Sequence, residues 1–151
     1  MPYAYDLKYK SKKEIGIELG RLLGNNINES EHFKDIDYIV PVPLHPKKKL
    51  IRGYNQSMCI AKGISEIMNV EADDNTLVRN VHTQTQTKKN RIERWQNVKD
   101  IFELKSDKFK DKHILLVDDV ITTGSTIEAC ALKLLEQTDK LSIASLAVAK
   151  H

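Results

Sequence analysis

The sequence contains little cysteine and no long apolar run. Its two cysteines, Cys59 and Cys130, lie among apolar neighbours in predicted helices, and neither has a second cysteine at CxxC spacing. That pattern favours buried, reduced thiols over a disulfide or a metal site. No apolar stretch approaches the roughly 18 residues of a membrane-spanning helix, and the first residues lack a signal-peptide pattern. We therefore expect a cytoplasmic protein without a membrane span.

The charge balance and the aromatic content are also low. The 24 basic and 21 acidic residues give a net charge of +3, which is too small to indicate nucleic-acid binding by itself. Aromatic residues make up 6% of the chain, a thin platform for stacking single-stranded bases. With 151 residues, of which 40% are hydrophobic, the composition predicts one domain, residues 1–151, with a substantial core.

Two common nucleotide-binding motifs, GxxxxGK[ST] and GxGxxG, are absent, but residues 114–126 carry another pattern. The apolar run 114–117 predicts a strand buried on both faces. Asp118 and Asp119 follow it directly, and residues 122–126 form a hydroxyl-rich loop with a central glycine. A helix is predicted next from four apolar residues at helical spacing: Ile127, Ala131, Leu134 and Leu135.

A hydroxyl-rich loop at a helix start is suited to binding phosphate. It offers free backbone N–H groups, hydroxyl donors and the positive end of the helix dipole. The two carboxylates beside it suit sugar hydroxyls or a hydrated magnesium ion. Because ligands of open α/β sheets bind at the carboxyl ends of the strands, we expect the site there.

A second strand–loop–helix unit precedes the first. Residues 38–40 predict a strand, and the three prolines in residues 41–46 should exclude a helix and stiffen the loop. Lys47, Lys48, Lys49 and Arg52 then make that loop basic, and a helix follows with Ile60, Ile64, Ile67 and Met68 on one face. We interpret the loop as an anion-binding element, with a solvated basic turn as the alternative for the lysines.

The remaining pattern indicates an α/β protein with a mostly parallel sheet. Residues 1–10 predict an edge strand or a tail. Ser11 and Glu14 form a capping box for a helix that should end near Gly24. Its predicted core face consists of Ile15, Leu19, Leu22 and Leu23. Residues 77–79 and 98–104 predict extended segments, residues 83–97 a long polar loop, and residues 141–149 a second buried strand.

Three segments carry a resemblance to a known family. Residues 114–126, ILLVDDVITTGST, resemble the 5-phosphoribosyl 1-pyrophosphate (PRPP) signature of type I phosphoribosyltransferases. Residues 40–56, VPVPLHPKKKLIRGYNQ, are similar to the ComF-type competence-protein branch of that fold. Residues 83–102 resemble the same branch through seven positions: Thr83, Gln86, Thr87, Arg91, Arg94, Asn97 and Phe102.

The resemblance implies a type I phosphoribosyltransferase fold, a twisted, mostly parallel sheet flanked by helices, with a flexible hood loop at 83–97. It implies binding of PRPP or a ribose 5-phosphate-type ligand with Mg, and transfer of phosphoribose to an unidentified acceptor with release of pyrophosphate. Asp118 and Asp119 would be catalytic residues that bind the ribose, favour the developing positive charge and, mostly through PRPP and water, bind the metal. Arg91 and Arg94 would act catalytically from the hood. The 5-phosphate would be bound by Thr122, Thr123, Gly124, Ser125 and Thr126, and the pyrophosphate by Val42, Pro43, Leu44 and Arg52.

The sequence departs from the family at two points. Longer members of the branch begin with a zinc ribbon of paired CxxC motifs, which this sequence lacks, so zinc is not predicted. Purine-salvage relatives carry a carboxylate where Thr122 stands, and a threonine cannot remove a proton at neutral pH, which disfavours purine salvage of that kind. No feature of this sequence identifies the acceptor or a general base.

Two alternatives to an enzyme stay open. One is a non-catalytic phosphoribosyl-ligand-binding or DNA-uptake accessory that works with the competence-machinery proteins. The other is binding of single-stranded DNA through Lys47–Lys49 and residues 88–95. The oligomeric state is left open, with a homodimer as one alternative.

Overall fold

The computed structural model describes residues 2–80 and 101–149, with side chains from residue 12 onward. The four helices of this part are α1 (Pro2–Asn28), α2 (Pro46–Arg52), α3 (Gln56–Met68) and α4 (Ser125–Leu134), with a short 3-10 helix at Glu31–Phe33. The strands are β1 (Tyr38–Pro41), β2 (Glu71–Ala72), β3 (Leu77–Arg79), β4 (Phe102–Leu104), β5 (Ile114–Ile121) and β6 (Leu141–Val148). None of the helices in these two ranges combines the length and apolarity needed to cross a membrane.

The main sheet is parallel and has the order β2-β1-β5-β6, which confirms the predicted fold class. From β1 the chain passes through α3 to β2 on one side of the sheet. From β5 it passes through α4 to β6 on the other side. The strand order therefore reverses between β1 and β5, which are direct neighbours. Strands β3 and β4 form a separate antiparallel pair.

Two cores lie on opposite faces of this sheet because successive strand residues point to opposite sides. Ile39, Leu115 and Val117 pack with α3 on one face. Val40 and Leu116 pack with α4 on the other. Residues 114–117 are fully buried, which confirms the predicted two-sided burial of this strand. The result is a packed core on both faces of the sheet beneath the carboxyl ends of β1 and β5.

Helix α1 packs on α3 through glycines, not through its predicted apolar face. A Cβ on Gly20 would meet the Ile60 carbonyl and come within 3.0 Å of the Gly63 Cα, so the two backbones touch. Of the predicted core residues Ile15, Leu19, Leu22 and Leu23, the first three are 55%, 39% and 56% exposed. Only Leu23 packs against the core. That prediction was wrong because close backbone contact selects the smallest residues for the buried stripe.

The predicted start and end of α1 are also corrected. Ser11 and Glu14 lie inside the helix, which begins at Pro2, so residues 2–10 form neither a strand nor a tail and the capping box does not mark a start. Gly24 does not end the helix, which continues to Asn28. A Cβ on Gly24 would lie 3.2 Å from the Ile64 Cα, so this glycine serves the contact with α3.

Strand β6 exists where residues 141–149 predicted it, but it is not buried. It lies at the sheet edge, and Ile143, Leu146 and Val148 are 42%, 39% and 68% exposed. An apolar run does not distinguish an edge strand from a central one. Strand β3 confirms the prediction at residues 77–79, and β4 confirms part of the one at 98–104, whose first three residues lie outside the described ranges.

Candidate functional site at the strand-order reversal

The candidate site lies where the sheet reverses its strand order. Residues 42–45 follow β1, and residues 122–124 follow β5. Because β1 and β5 are adjacent and parallel, both connections leave from the same edge of the sheet. Open α/β sheets bind ligands in the crevice at such a point. The fold thus brings together the two segments that the sequence analysis assigned to anion binding.

The connection after β5 has the geometry of a phosphate-binding loop. Gly124 caps α4 in the left-handed conformation, with φ of 84°. The first helical hydrogen bond is donated by Glu128 N–H to the Gly124 carbonyl at 2.9 Å, so the amides of the first turn point out of the helix. The Thr123 hydroxyl approaches the Ser125 hydroxyl at 3.0 Å and accepts weakly from the Ser125 amide at 3.3 Å.

A Cβ on Gly124 would meet no atom within 4 Å, so space does not require a glycine here. The left-handed φ of 84° does, because residues with a Cβ rarely adopt it. The same Cβ position shows open space above the loop. A small cavity of about 40 Å³ opens beside it, lined by Asp118, Val120, Ile121, Thr122, Thr123, Gly124, Thr126 and Ile127. Four of the five predicted 5-phosphate residues and one predicted carboxylate therefore share one pocket.

Asp118 and Asp119 lie on β5 itself, because the strand continues to Ile121 and does not end before the acid pair. Asp118 Oδ1 accepts from the Asp119 amide at 2.9 Å and from the Ser57 hydroxyl at 3.3 Å. Burial, and then the neighbouring carboxyl group of Asp119, raise the pKa of Asp118 to about 6. Two adjacent carboxylates near the end of a strand repel one another, so they suit ligands that carry positive charge or donate hydrogen bonds, such as a cation or sugar hydroxyls.

The acid pair fits a magnesium ion bound mostly through its ligand. In the described ranges no group of three or more His, Cys, Asp or Glu side chains could hold a metal. Two carboxylates match the way Mg²⁺ is bound at phosphate sites, where water and phosphate oxygens complete the octahedron. The residues present are therefore compatible with the predicted cofactor.

The connection after β1 is held from two sides. The Val42 amide donates to the Val117 carbonyl at 2.9 Å, which extends the β1–β5 pairing. The Val42 carbonyl accepts from Asn55 Nδ2 at 3.0 Å. Asn55 is also the N-cap of α3, where its Oδ1 accepts from the Ser57 amide at 3.0 Å. Neither Asn55 nor Ser57 was predicted as a site residue. Their position at a helix start was the available signal.

The basic segment is a short helix, α2, not the predicted loop. Pro46 occupies its first turn, where proline is tolerated because that N–H has no helical acceptor. His45 caps it by accepting from the Lys47 amide at 3.0 Å. No residue of α2 is buried. Arg52 ends this helix and donates to Gln56 Oε1 at 2.9 Å, so its hydrogen bond is to the start of α3.

Arg91, Arg94 and the rest of the predicted hood at 83–97 lie outside the described residues. Their roles stay predictions, as do the ligand contacts of the other site residues. The fold places the loop after β5, the acid pair and residues 42–44 at the same edge of the sheet.

Comparison with known proteins identifies the class. Residues 55–151 match the model of the family described as "Phosphoribosyl transferase domain". The chain belongs to this family, as the resemblance implied.

Its curated relatives are named for competence and DNA use. The chain is 32% identical over 137 residues to "DNA utilization protein YhgH" of Escherichia coli, which covers 89% of this chain and 60% of the relative. It is 34% identical over 125 residues to "Competence protein F" of Haemophilus influenzae, covering 80% and 55%. It is 31% identical over 107 residues to "Competence protein ComFC" of Bacillus subtilis, covering 71% and 42%. The ComF branch is thereby confirmed, although the chain spans only about 60% or less of these relatives.

Solved structures support the fold. A glutamine PRPP amidotransferase from B. subtilis has a TM-score of 0.61 at 19% identity, covering 86% of this chain and 25% of that one. A hypoxanthine phosphoribosyltransferase from Staphylococcus aureus has a TM-score of 0.52 at 11% identity, covering 90% and 64%. At these identities the likeness concerns the fold alone.

Proposed function

We propose that this protein binds PRPP together with Mg²⁺ and transfers phosphoribose to an acceptor with release of pyrophosphate. The observation that carries the proposal is the meeting of the loop after β5, the acid pair and residues 42–44 where the strand order reverses. Each of these segments alone is a common structure. Together they match the three parts of PRPP: a 5-phosphate, a ribose and a pyrophosphate.

The loop after β5 would bind the 5-phosphate. The amides at the start of α4 and the hydroxyls of Thr122, Thr123, Ser125 and Thr126 are donors, and the helix dipole adds positive potential. Gly124 leaves the approach to these donors open.

The acid pair would fix the ribose. Asp118 and Asp119 are acceptors for its 2- and 3-hydroxyls, and their negative charge would stabilise the positive charge that develops at C1 as pyrophosphate leaves. With a pKa of about 6, Asp118 is mostly ionised at neutral pH. Magnesium, when bound near this pair, supplies charge neutralisation for the pyrophosphate.

Residues 42–44 and Arg52 would receive the pyrophosphate. Val42 is anchored through both its N–H and its C=O, so the segment is positioned before a ligand arrives. Arg52 would need to exchange its bond with Gln56 for the ligand. Arg91 and Arg94 would close over the same group from the hood and exclude water.

Calorimetry with PRPP and MgCl₂ tests the proposal. We expect the wild type to bind, and Asp118→Asn/Asp119→Asn to bind at least about tenfold more weakly, because each lost charge-assisted hydrogen bond contributes roughly 1.5–3 kcal/mol. Asp35→Asn, at an exposed acid that precedes β1 and so lies toward the opposite edge of the sheet, is the matched control and should bind as the wild type does. Absence of binding to the wild type would overturn the proposal.

Turnover separates an enzyme from a non-catalytic accessory of DNA uptake, the reading that the names of the curated relatives support. The assay is pyrophosphate release from PRPP over a panel of nucleobases and amines. Release with any acceptor supports the transferase. PRPP binding without release on the whole panel favours the accessory, which we propose to be cytoplasmic and to act with the competence machinery.

A second candidate, binding of single-stranded DNA, is favoured by the exposure of α2, on which Lys47, Lys48 and Lys49 all lie in solvent. Such binding should weaken steeply with salt because it releases counterions. The test measures affinity for an oligothymidylate at about 50 and about 200 mM salt. An unchanged affinity would rule out this mode of single-stranded DNA binding.

A further inference from the structure

We propose that Asn55 and Ser57 are positioning residues that couple the two halves of the candidate site, so that occupation of the acid-pair side tightens the β1 side and the reverse. This inference rests on the proposed function, because it concerns how ribose 5-phosphate and pyrophosphate influence one another's binding. Neither residue was predicted to have a role, and neither needs to touch a ligand to exert this one.

The coupling runs through a continuous chain of hydrogen bonds. Asn55 Nδ2 donates to the Val42 carbonyl at 3.0 Å, and the Ser57 amide donates to Asn55 Oδ1 at 3.0 Å. The Ser57 hydroxyl then donates to Asp118 Oδ1 at 3.3 Å, and the same oxygen accepts from the Asp119 amide at 2.9 Å. Three bonds thus connect the loop after β1 with the Asp118 carboxylate, and a fourth holds that carboxylate to the backbone of Asp119.

The chain is protected from water at its centre. Ser57 is 4% exposed, so its hydroxyl has little access to solvent as a substitute partner. Breaking the bond to Asp118 would leave a buried hydroxyl unsatisfied, which costs more than the bond itself is worth. A shift of the Asp118 carboxylate should therefore carry the first turn of α3 with it, and Asn55 transmits that shift to Val42.

Helix capping alone does not require this arrangement. An N-cap needs only a side-chain oxygen that accepts from an amide two or three residues on, and Asn55 Oδ1 does this. The Asn55 Nδ2 group and the Ser57 hydroxyl are not used by the cap. Both instead bond to parts of the candidate site on two different strand ends. The two functions can therefore be separated by substitution.

The experiment measures binding of ribose 5-phosphate, with MgCl₂ present, in the absence and presence of saturating pyrophosphate. The ratio of the two dissociation constants is the coupling factor. Ser57→Ala removes the bond to Asp118, and Asn55→Ser retains a good N-cap but is too short to reach the Val42 carbonyl. In both variants we expect the coupling factor to fall at least about fivefold below that of the wild type, the lower end of typical coupling between sites.

Two controls distinguish coupling from stability. Ser65→Ala removes a serine hydroxyl bond at the other end of α3, where Ser65 donates to the Val70 carbonyl, and should leave the coupling factor unchanged. Ser57→Thr retains the hydroxyl and should restore coupling relative to Ser57→Ala. A wild-type coupling factor in Ser57→Ala and Asn55→Ser overturns the relay while leaving the proposed function standing. A wild type that binds neither ligand overturns both.

Discussion

The close contact between α1 and α3 predicts that Gly63→Ala lowers the free energy of unfolding, whereas helix propensity alone would predict that it rises. Gly63 lies inside α3, where replacing glycine by alanine normally stabilises a helix by about 1 kcal/mol. Here a Cβ on Gly63 would meet the Ile17 carbonyl oxygen and lie 2.6 Å from the Arg21 nitrogen and 2.8 Å from the Gly20 carbonyl carbon. All three are backbone atoms of α1 and cannot move away as a side chain could.

We therefore expect Gly63→Ala to destabilise the protein. Forced overpacking costs roughly 1–3 kcal/mol and occasionally more, and contacts with a rigid helix backbone belong at the upper end. After subtraction of the propensity gain, the net loss should be about 2 kcal/mol. For a chain of this size that lowers Tm by roughly 4–8 °C, measured by calorimetry or by circular dichroism.

Two substitutions in the same helix pair serve as controls. Lys62→Ala changes the exposed neighbour of Gly63 and should shift the free energy of unfolding by less than about 0.5 kcal/mol. Gly16→Ala places its Cβ 2.9 Å from the Cys59 Cβ, a single side-chain contact, and should cost less than Gly63→Ala. If Gly63→Ala is as stable as the wild type or more stable, the glycine-mediated packing of α1 on α3 is refuted.

Three further predictions concern ionisable groups. Asp118→Asn should stabilise the protein at pH 8 in the presence of EDTA by about 1 kcal/mol, a value reduced from the full pKa shift because Asp118 is only half-buried. The gain should vanish near pH 4, because a raised folded-state pKa costs stability only as pH rises from the ordinary value through about 6. Urea titrations at both pH values check this, and an equal gain at pH 4 would contradict it. Asp73→Asn should have the opposite effect. Burial opposes ionisation of Asp73, but Lys108 at 2.8 Å and two backbone amides outweigh it and lower the pKa of Asp73. The stabilisation by the ionised Asp73 is therefore present at pH 7 and lost as pH falls below about 4. We expect a loss of about 2 kcal/mol at pH 7 by the same titration, and no loss there would show the ion pair to be dispensable. Burial raises the pKa of both Cys59 and Cys130, so 5,5′-dithiobis(2-nitrobenzoate) should react slowly with the native protein and fully in urea. Rapid release of thionitrobenzoate from the native state would mean that at least one thiol is accessible.

Local pattern was sufficient for the centre of the sheet and for the loop that follows it. Residues 114–117 are apolar without interruption, and a short run of that kind with polar segments on both sides predicts a buried strand. The following TTGST predicted a helix start with free amides, and α4 begins at Ser125 with Gly124 as its N-cap. These features depend on neighbours in the chain, so sequence alone could predict them.

Features that depend on distant neighbours were predicted less well. The stripe of Ile15, Leu19 and Leu22 is an ordinary amphipathic signal, yet the glycines beside it face α3, because two backbones can approach only where side chains are absent. The apolar strand β6 is at an edge because only β5 pairs with it among the described residues. Pro46 starts a helix where the prolines suggested a loop, because it falls in the first turn.

By itself, the sequence predicted the class of fold, the candidate phosphate-binding loop at residues 122–126 and the acid pair Asp118–Asp119, because each depends on residue types that are adjacent in the chain. The tertiary structure decided that residues 42–44 lie beside that loop, since β1 and β5 are separated by more than 70 residues and meet only in the sheet. It also decided that Asn55 and Ser57 join the two. Their hydrogen bonds to Val42 and Asp118 form only once α3 packs at the point where the strand order reverses.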